Sequence, residues 1–264
     1  MRCFQGMILA LLFACAPKTP APVSSVATAV IAVPEVLPDA DILLARALEV
    51  AGGAAALEKI QTLRTTGHIT MSAQGIVAPI TVLQQVPGYV YTRLELPGIG
   101  VMEEGIIDGV AWASDPISGP RIKGGLEAVQ GLRLADLHLD AHLADVYPTR
   151  VTIGQSQAGA YAVWEVKLVP TEGPEEIALI DRHSGRRVGS RMTAVSVMGP
   201  IPMTMLYTEF REVGGVSFPV RIEQSQGPIT TVMQIDEIEV DASDFAPIPL
   251  PAEIQALIAP SATP

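Results

Sequence analysis

The feature that most constrains the fold is a long succession of short segments in which apolar and polar residues alternate. Such alternation is typical of β-strands with one buried face. The segments are separated by residue pairs that favour hairpin turns, namely Asp108-Gly109, Ser184-Gly185, Gly214-Gly215 and Gly227-Pro228. No strand–helix–strand repeat occurs between them, which excludes a Rossmann fold. The sequence therefore predicts an antiparallel meander that must curl or close to protect its edges.

Strand character continues as far as Val240. It occurs in twelve segments: Leu63–Met71, Ile76–Val86, Tyr89–Glu95, Val101–Ile107, Val110–Ser114, Arg150–Ile153, Tyr161–Leu168, Glu176–Ile180, Arg187–Val197, Met203–Glu212, Val216–Gln224 and Ile229–Val240. A β-rich domain often contains about 200–250 residues. We therefore expect residues 39–264 to form one domain.

Helical spacing precedes and interrupts the strands. Asp39 is a candidate N-cap for a helix over Ala40–Ala51, where apolar residues recur at helical spacing, and Ala54–Ile60 predicts a second short helix. The longer segment Leu126–Val146 also has helical spacing, and Gly131 is expected to divide it into two helices. Because this insertion lies within a strand meander, we expect it to cover the open mouth of a half-closed barrel.

The first residues have the features of a bacterial lipoprotein signal. Residues 1–14 contain the positive charge of Arg2 followed by the apolar run Met7–Ala14, which is far too short to span a bilayer. The sequence Leu12-Phe13-Ala14-Cys15 resembles a lipobox, in which the cysteine is acylated. Cys15 is thus the predicted lipidation site and the predicted link to a membrane.

Two further expectations follow from a lipidated N-terminus. Residues 15–38 are rich in proline and alanine and would form an extended tether. Ala16 follows the cysteine where aspartate would favour retention in the inner membrane, so the protein is expected at the outer membrane, facing the periplasm or the cell surface. Ordinary cleavage near Ala14 or Ala16 would instead release a soluble protein.

Composition excludes several classes of function. The chain carries 17 basic and 28 acidic residues, a net charge of −11, which argues against nucleic acid as a partner. Its cysteines are Cys3 and Cys15, so residues 39–264 contain no disulfide, cysteine metal site or cysteine nucleophile. Hydrophobic residues make up 48% of the chain, which excludes disorder of the whole.

One histidine pair is a weak candidate for a metal site. His138 and His142 are four residues apart and would share a face if the segment were helical, with Asp136, Asp140 or Asp145 as a further ligand. The pair lacks the glutamate of the His-Glu-x-x-His signature. A solvated helix face explains the same residues, so we expect no metal and no cofactor.

Covalent catalysis has no support in the sequence. There is no Gly-x-Ser-x-Gly motif and no phosphate-binding glycine loop. The adjacent carboxylates Glu103-Glu104 and Glu175-Glu176 lie near strand ends, where neighbouring residues point to opposite faces. We therefore expect a protein that is not an enzyme.

Three segments carry a resemblance to a known superfamily: Ala47–Thr70, Ile106–Trp112 and Phe210–Pro219. They resemble bacterial envelope proteins related to the outer-membrane lipoprotein-sorting carrier and receptor, the LolA/LolB-like fold. The resemblance implies a mainly β (α+β) protein: an unclosed antiparallel β-barrel of about eleven strands with an N-terminal helix and a helical lid or plug. It also implies an apolar interior that binds acyl chains or other apolar molecules.

The composition of the strands independently favours an internal cavity. A barrel of about eleven strands is wide enough to enclose a ligand, and aromatic residues make up only 5% of the chain. Methionine, which adapts to irregular apolar surfaces, is frequent in the last third. The candidate cavity residues are Met71, Val82, Tyr91, Met102, Trp112, Leu134, Leu137, Trp164, Met192, Met203, Met205 and Met233. The methionines and tryptophans would alternatively pack the core.

The sequence leaves more than one function open. The first is a membrane-anchored protein that binds a lipid or a lipoprotein acyl chain in its half-barrel and takes part in lipid or lipoprotein transport. The second is a non-enzymatic envelope module that holds another envelope protein and has no small-molecule ligand. A hydrolase is a third and weaker hypothesis, which chelation or replacement of His138 and His142 would test.

Overall fold

A single antiparallel sheet organises the computed structural model, which describes residues 36–258. Within those residues the strands are β1 Thr62–Met71, β2 Ile76–Gln85, β3 Tyr89–Leu96, β4 Gly100–Ile107, β5 Val110–Asp115, β6 Gly119–Ile122, β7 Thr149–Ala158, β8 Tyr161–Val169, β9 Glu176–Asp181, β10 Arg187–Ser196, β11 Gly199–Val213, β12 Val216–Gln226 and β13 Ile229–Val240. The helices are α1 Ala40–Val50, α2 Ala54–Leu57, α3 Gly125–Leu134, α4 Leu143–Val146 and α5 Ala252–Ile258. The signal peptide, Cys15 and most of the tether lie outside the described residues.

The sheet is built from two meanders that meet in its middle. Its strand order is β6-β5-β4-β3-β2-β1-β13-β12-β11-β10-β9-β8-β7, and every pair is antiparallel. In the described part of the chain β6 and β7 are edge strands that do not pair with each other. The prediction of an unclosed antiparallel barrel is confirmed, with thirteen strands where about eleven were expected.

Helix α1 begins and ends as its sequence predicts. The Asp39 carboxylate accepts hydrogen bonds from the backbone N–H groups of Asp41 and Ile42 at 2.9 and 3.1 Å. At the other end Gly52 has φ +119°, and a Cβ there would lie 2.2 Å from the carbonyl oxygen of Gly215. Only glycine allows both this conformation and this close approach, so the end of α1 is packed directly against the β11–β12 turn.

The two faces of the sheet carry different helices. We call inner the face that carries Val82 and Met233, and outer the face that carries Trp112. Helices α1, α3 and α4 pack on the inner face, and α5 packs on the outer face, where Ile254 is fully buried against Trp112. None of the helices between residues 36 and 258 is long and apolar enough to cross a membrane.

The helical insertion differs in detail from its prediction. Gly131 does not divide it: α3 runs through this residue, and a Cβ there would lie 3.4 Å from Ile106 Cδ1. The division comes instead at residues 135–142, which form turns. The Asp136 carboxylate accepts a hydrogen bond from the backbone N–H of His138 at 2.9 Å, and this local bond competes with the continuation of the helix.

Candidate functional site

A cavity of about 70 Å³ lies between α3 and the inner face of the sheet. Its walls come from β2–β4 on one side and from β10–β13 on the other, with α3 between them. Strands β4 and β10 are seven positions apart in the sheet order, so the sheet curls and α3 lies across its open side. Most of the wall is apolar, and three methionines, Met192, Met203 and Met233, contribute to it.

Gln130 holds α3 on the sheet. Its side-chain N–H donates to the carbonyl oxygen of Thr193, and its side-chain oxygen accepts from the backbone N–H of Val195, both at 2.9 Å. The carboxamide therefore makes the hydrogen bonds to the backbone at the end of β10 that a neighbouring strand would otherwise make. Gln130 is buried, and each of these bonds contributes about 0.5–1.5 kcal/mol to the docking of the helix.

Both ends of α3 are also fixed. At its start Arg121 makes two hydrogen bonds, of 2.7 and 2.8 Å, to the buried carboxylate of Glu127. At its end Arg133 donates to the carbonyl oxygen of Glu172 at 2.8 Å and lies 5.5 Å above the Tyr147 ring. In this conformation the helix is closed over the cavity by contacts to β6, to β10 and to the β8–β9 loop.

A polar strip crosses the otherwise apolar wall. Thr92 on β3 pairs with Glu104 on β4, and Glu104 bonds Lys123 Nζ at 2.9 Å, with both charged side chains largely buried. Gln84 lies on the adjacent row of β2 and is only 2% exposed. Among the described residues, its side-chain oxygen is one of the few buried polar atoms without a hydrogen-bond partner.

A second cavity, of about 310 Å³, lies at the other end of the inner face between α1, α2 and strands β10–β12. Its apolar wall includes Leu48, Tyr207 and Phe210. Arg186, also in the wall, lies 4.3 Å above the Phe210 ring and donates to the Ser217 hydroxyl at 2.7 Å. This cleft is larger than the cavity beneath α3 and is lined by α1 together with residues 140–144 of the helical insertion.

The structure brings together some of the candidate cavity residues. Val82, Leu134, Met192, Met203 and Met233 line the cavity beneath α3. Four other candidates pack in the apolar cluster that contains these residues but do not line the cavity: Met71, Met102, Leu137 and Met205.

Three aromatic candidates lie elsewhere. Tyr91 and Trp112 are on the outer face, with ring centroids 6.4 Å apart. Burial and the neighbouring Glu103 carboxylate raise the pKa of Tyr91 to about 12. Trp164 is on the inner face but packs beside the cluster under α1 and α4, with Arg182 4.4 Å above its ring. None of the three contributes to the wall beneath α3.

The histidine pair does not converge. The turns at residues 135–142 replace the helix that would have placed both rings on one face. His138 Nε2 lies 2.8 Å from the carbonyl oxygen of Ile60, whereas His142 Nε2 lies 2.6 Å from the Asp136 carboxylate. Within residues 36–258 no group of three or more histidine, cysteine or acidic side chains is arranged to hold a metal ion.

The sequence reasoning missed the polar residues of the cavity: Gln84, Thr92, Glu104, Lys123, Glu127, Gln130 and Gln226. One signal was available for Gln84. It continues the two-residue period of Ile80 and Val82, so a polar side chain follows two apolar ones on the same face of β2.

Comparison with known proteins identifies the fold. No family model and no curated protein matches the sequence. A DUF1329 family protein from Desulfovibrio piger matches 78% of this chain and 95% of its own, with a TM-score of 0.53 and 9% identity. A LolA superfamily protein from Nitrosomonas europaea matches 83% of this chain and 97% of its own, with a TM-score of 0.50 and 13% identity.

The chain has a LolA-like fold. The resemblance inferred from three short segments is thereby confirmed at the level of fold. In this LolA-like chain the helical insertion lies on the inner face of the sheet, and the cavity beneath α3 lies between the insertion and the strands.

Proposed function

We propose that the protein binds an acyl chain of a lipid or lipoprotein, or another apolar molecule, beneath α3 and carries out no covalent chemistry. One observation carries the proposal: an apolar cavity, rich in methionine, lies between the two halves of a curled sheet under a helix held on β10 by polar contacts. Each methylene group that leaves water for this wall would contribute about 0.8 kcal/mol.

The cavity must enlarge to receive such a ligand, because ligand pockets usually measure about 300–1,000 Å³. Met192 and Met203 form a cross-strand pair in the cavity wall, on the inner face of the sheet. Methionine changes rotamer at low cost. Rotation of these two side chains, together with movement of α3, would enlarge the space.

Anchoring forms the second part of the proposal. Acylation of Cys15 would attach the protein to the outer membrane, and residues 15–38 would hold the half-barrel away from the lipid surface. The fold shared with a LolA superfamily protein supports a place in the bacterial envelope. A binding protein fixed there would accept apolar molecules from the membrane or pass them to it.

Binding is tested with the full chain carrying Cys15→Ser, which removes the acylation site. Native mass spectrometry should show co-purified acyl-chain species, and an apolar dye should fluoresce more strongly on binding. Ala194→Leu places extra side-chain volume in the cavity wall and should reduce both signals, whereas Ala160→Leu, at an exposed turn, should leave them unchanged. Equal signals from the two variants, or no bound lipid and no dye response in the parent chain, would refute the proposal.

Anchoring is tested in cells fed a radioactive fatty acid. The wild-type chain should take up the label and fractionate with the outer membrane. Cys15→Ser should lose the label and the membrane association together. Wild-type protein recovered in the medium with an unmodified N-terminus would show that the anchoring part is wrong and would leave the binding part standing.

A further inference from the structure

The cavity wall holds a polar atom for which the protein supplies no partner. Gln84 is 2% exposed, lines the cavity, and its side-chain oxygen accepts no hydrogen bond. A buried acceptor left without a donor destabilises the folded state. Folded proteins seldom retain such groups without a role, and the position of this one on a cavity wall points to a ligand.

The charges around Gln84 define which ligand groups would fit. Lys123 pairs with Glu104 at 2.9 Å, and Arg121 makes its two hydrogen bonds to Glu127. Both cations at this end of the cavity are therefore matched by carboxylates. A carboxylate or phosphate head group would meet the oxygen of Gln84 and the Glu104 carboxylate without an unmatched cation to stabilise it.

A neutral hydroxyl group meets the opposite conditions. It donates a hydrogen bond to the oxygen of Gln84 and brings no charge into the buried site. The hydroxyl of Thr92 lies on the same wall, diagonally across the strand pair from Gln84, and a ligand hydroxyl can accept from it. The space of about 70 Å³ holds a small polar end and the first carbons of a chain.

We infer that the cavity selects an apolar chain that ends in a neutral hydroxyl-bearing head, and that Gln84 receives this head. The inference rests on the proposed function, because it assigns one end of the same ligand. The chain itself extends along the methionine side of the cavity, formed by Met192, Met203 and Met233. Fatty-acid anions and phospholipids bind less well for the reason given above.

The experiment compares four oleoyl probes in a dye-displacement assay with the full chain carrying Cys15→Ser. The probes are 1-monooleoylglycerol, oleyl alcohol, methyl oleate and oleate. We expect at least one hydroxyl probe to bind about three- to tenfold more tightly than methyl oleate, which corresponds to one net hydrogen bond. If only 1-monooleoylglycerol binds more tightly than methyl oleate, the ligand group is a glycerol hydroxyl. If oleyl alcohol binds equally tightly, a single hydroxyl at the end of the chain is sufficient.

Two matched variants assign the preference to Gln84. Gln84→Met keeps the shape and removes the acceptor, so the hydroxyl probes should fall to the affinity of methyl oleate, which itself should not change. Gln85→Met alters the next residue of β2, on the outer face, and should keep the preference. The fold should tolerate Gln84→Met, because replacing an unpaired buried amide by an apolar group is neutral or stabilising.

Several outcomes would overturn the inference. Tighter binding of methyl oleate than of both hydroxyl probes would overturn it, and so would tightest binding of oleate. Retention of the preference in Gln84→Met would show that Gln84 is not the receiving group, for example because it bonds only a buried water. Failure of all four probes and of the dye would refute the proposed function as well, which separates the two failures.

Discussion

The two ends of the inner face are covered by helices in different ways. Under α1 and α4, against β8 and β9, large apolar side chains fill the space, and Leu139, Tyr147 and Leu168 are almost completely buried. Under α3, against β2–β4 and β10–β13, the cover is thinner and a cavity remains. We call the region under α4, against β8 and β9, the packed end. The cavity beneath α3 lies at the other end, and the separate cleft remains between α1 and β10–β12.

The difference originates in the helix faces that meet the sheet. Toward the cavity α3 presents Gln130, Gly131 and Leu134, followed by Ala135, which fill less volume than the leucines and tyrosine of the packed end. Gln130 replaces apolar contact by two hydrogen bonds. A helix held by polar contacts can leave the sheet without exposing a large apolar surface, whereas α1 and α4 cannot.

The buried charges differ in the same direction. At the packed end Arg187 bonds Glu176 and Asp140, and the Tyr147 hydroxyl donates to Glu176 at 3.2 Å. At the cavity end the oxygen of Gln84 has no partner. A completed polar network suits a permanent core, and an incomplete one suits a site that is completed by a ligand.

The largest effect is expected from removing the charge at the packed end. Arg187→Met leaves Glu176 and Asp140 buried without their cation and should lower the free energy of unfolding by about 3–5 kcal/mol. Arg46→Met, in an exposed ion pair with Glu49, is the control and should cost under about 1 kcal/mol. Urea denaturation measures both. Similar losses in the two variants would contradict the description of a buried network.

Truncation of leucines should separate the two ends next. Leu168→Ala creates a void in the packed end and should cost about 2–5 kcal/mol. Leu134→Ala, on α3, should cost about 1 kcal/mol and increase dye binding, because this side chain is half-buried and borders existing space. Thermal unfolding and dye titration measure the pair. Equal losses of stability in the two variants, with no change in dye binding, would contradict the difference in packing between the two ends.

Removing the hydrogen bonds between Gln130 and β10 should destabilise α3 more than the rest of the protein. Gln130→Ala deletes both hydrogen bonds to β10 and should reduce the protection of α3 from hydrogen exchange by about 1–3 kcal/mol, with a smaller change in global stability. Gln255→Ala is the control, because that side chain bonds the carbonyl oxygen of Leu250 near α5 on the outer face. If α3 stays as protected as in the wild type, other contacts hold it closed.

The smallest effect concerns the ion pair between α1 and β7. A hydrogen bond from Arg150, at 2.5 Å, lowers the pKa of Asp41 below its ordinary value of 3.8. The resulting stabilisation is present above that value and is lost as the pH falls through the lower folded-state pKa. Asp41→Asn should therefore reduce the Tm at neutral pH by at most about 2 °C and show no difference at pH 2. A difference that persists at pH 2 would point to helix capping instead.

The sequence predicted the architecture better than it predicted the site. Alternation located twelve strands, but it missed β6, which has four residues including Pro120. It could not assign Tyr91 and Trp112 to a face, because helices cover both faces of that part of the sheet. Ile106 and Ile107, for example, are adjacent and both buried, so no polar position marks the outside.

The polar site was hidden for a related reason. A single glutamine in an apolar strand carries no signal of burial unless the facing helix is known, and the helix was expected to break at Gly131. The true break after Leu134 depends on the local bond between Asp136 and His138, a side-chain choice that helical spacing does not report. Segments held by local turn chemistry were thus predicted less well than segments held by sheet pairing.

The pairing of β1 with β13 has a consequence for the synthesis of the protein. His68 and Asp236, which contact each other across this seam, are 168 positions apart along the chain. The middle of the sheet therefore cannot assemble until nearly all of the polypeptide is available, and contacts of such long range slow folding. During translation the first meander therefore has an unpaired edge until the last strand is made, and loss of that strand would expose both halves of the sheet to aggregation.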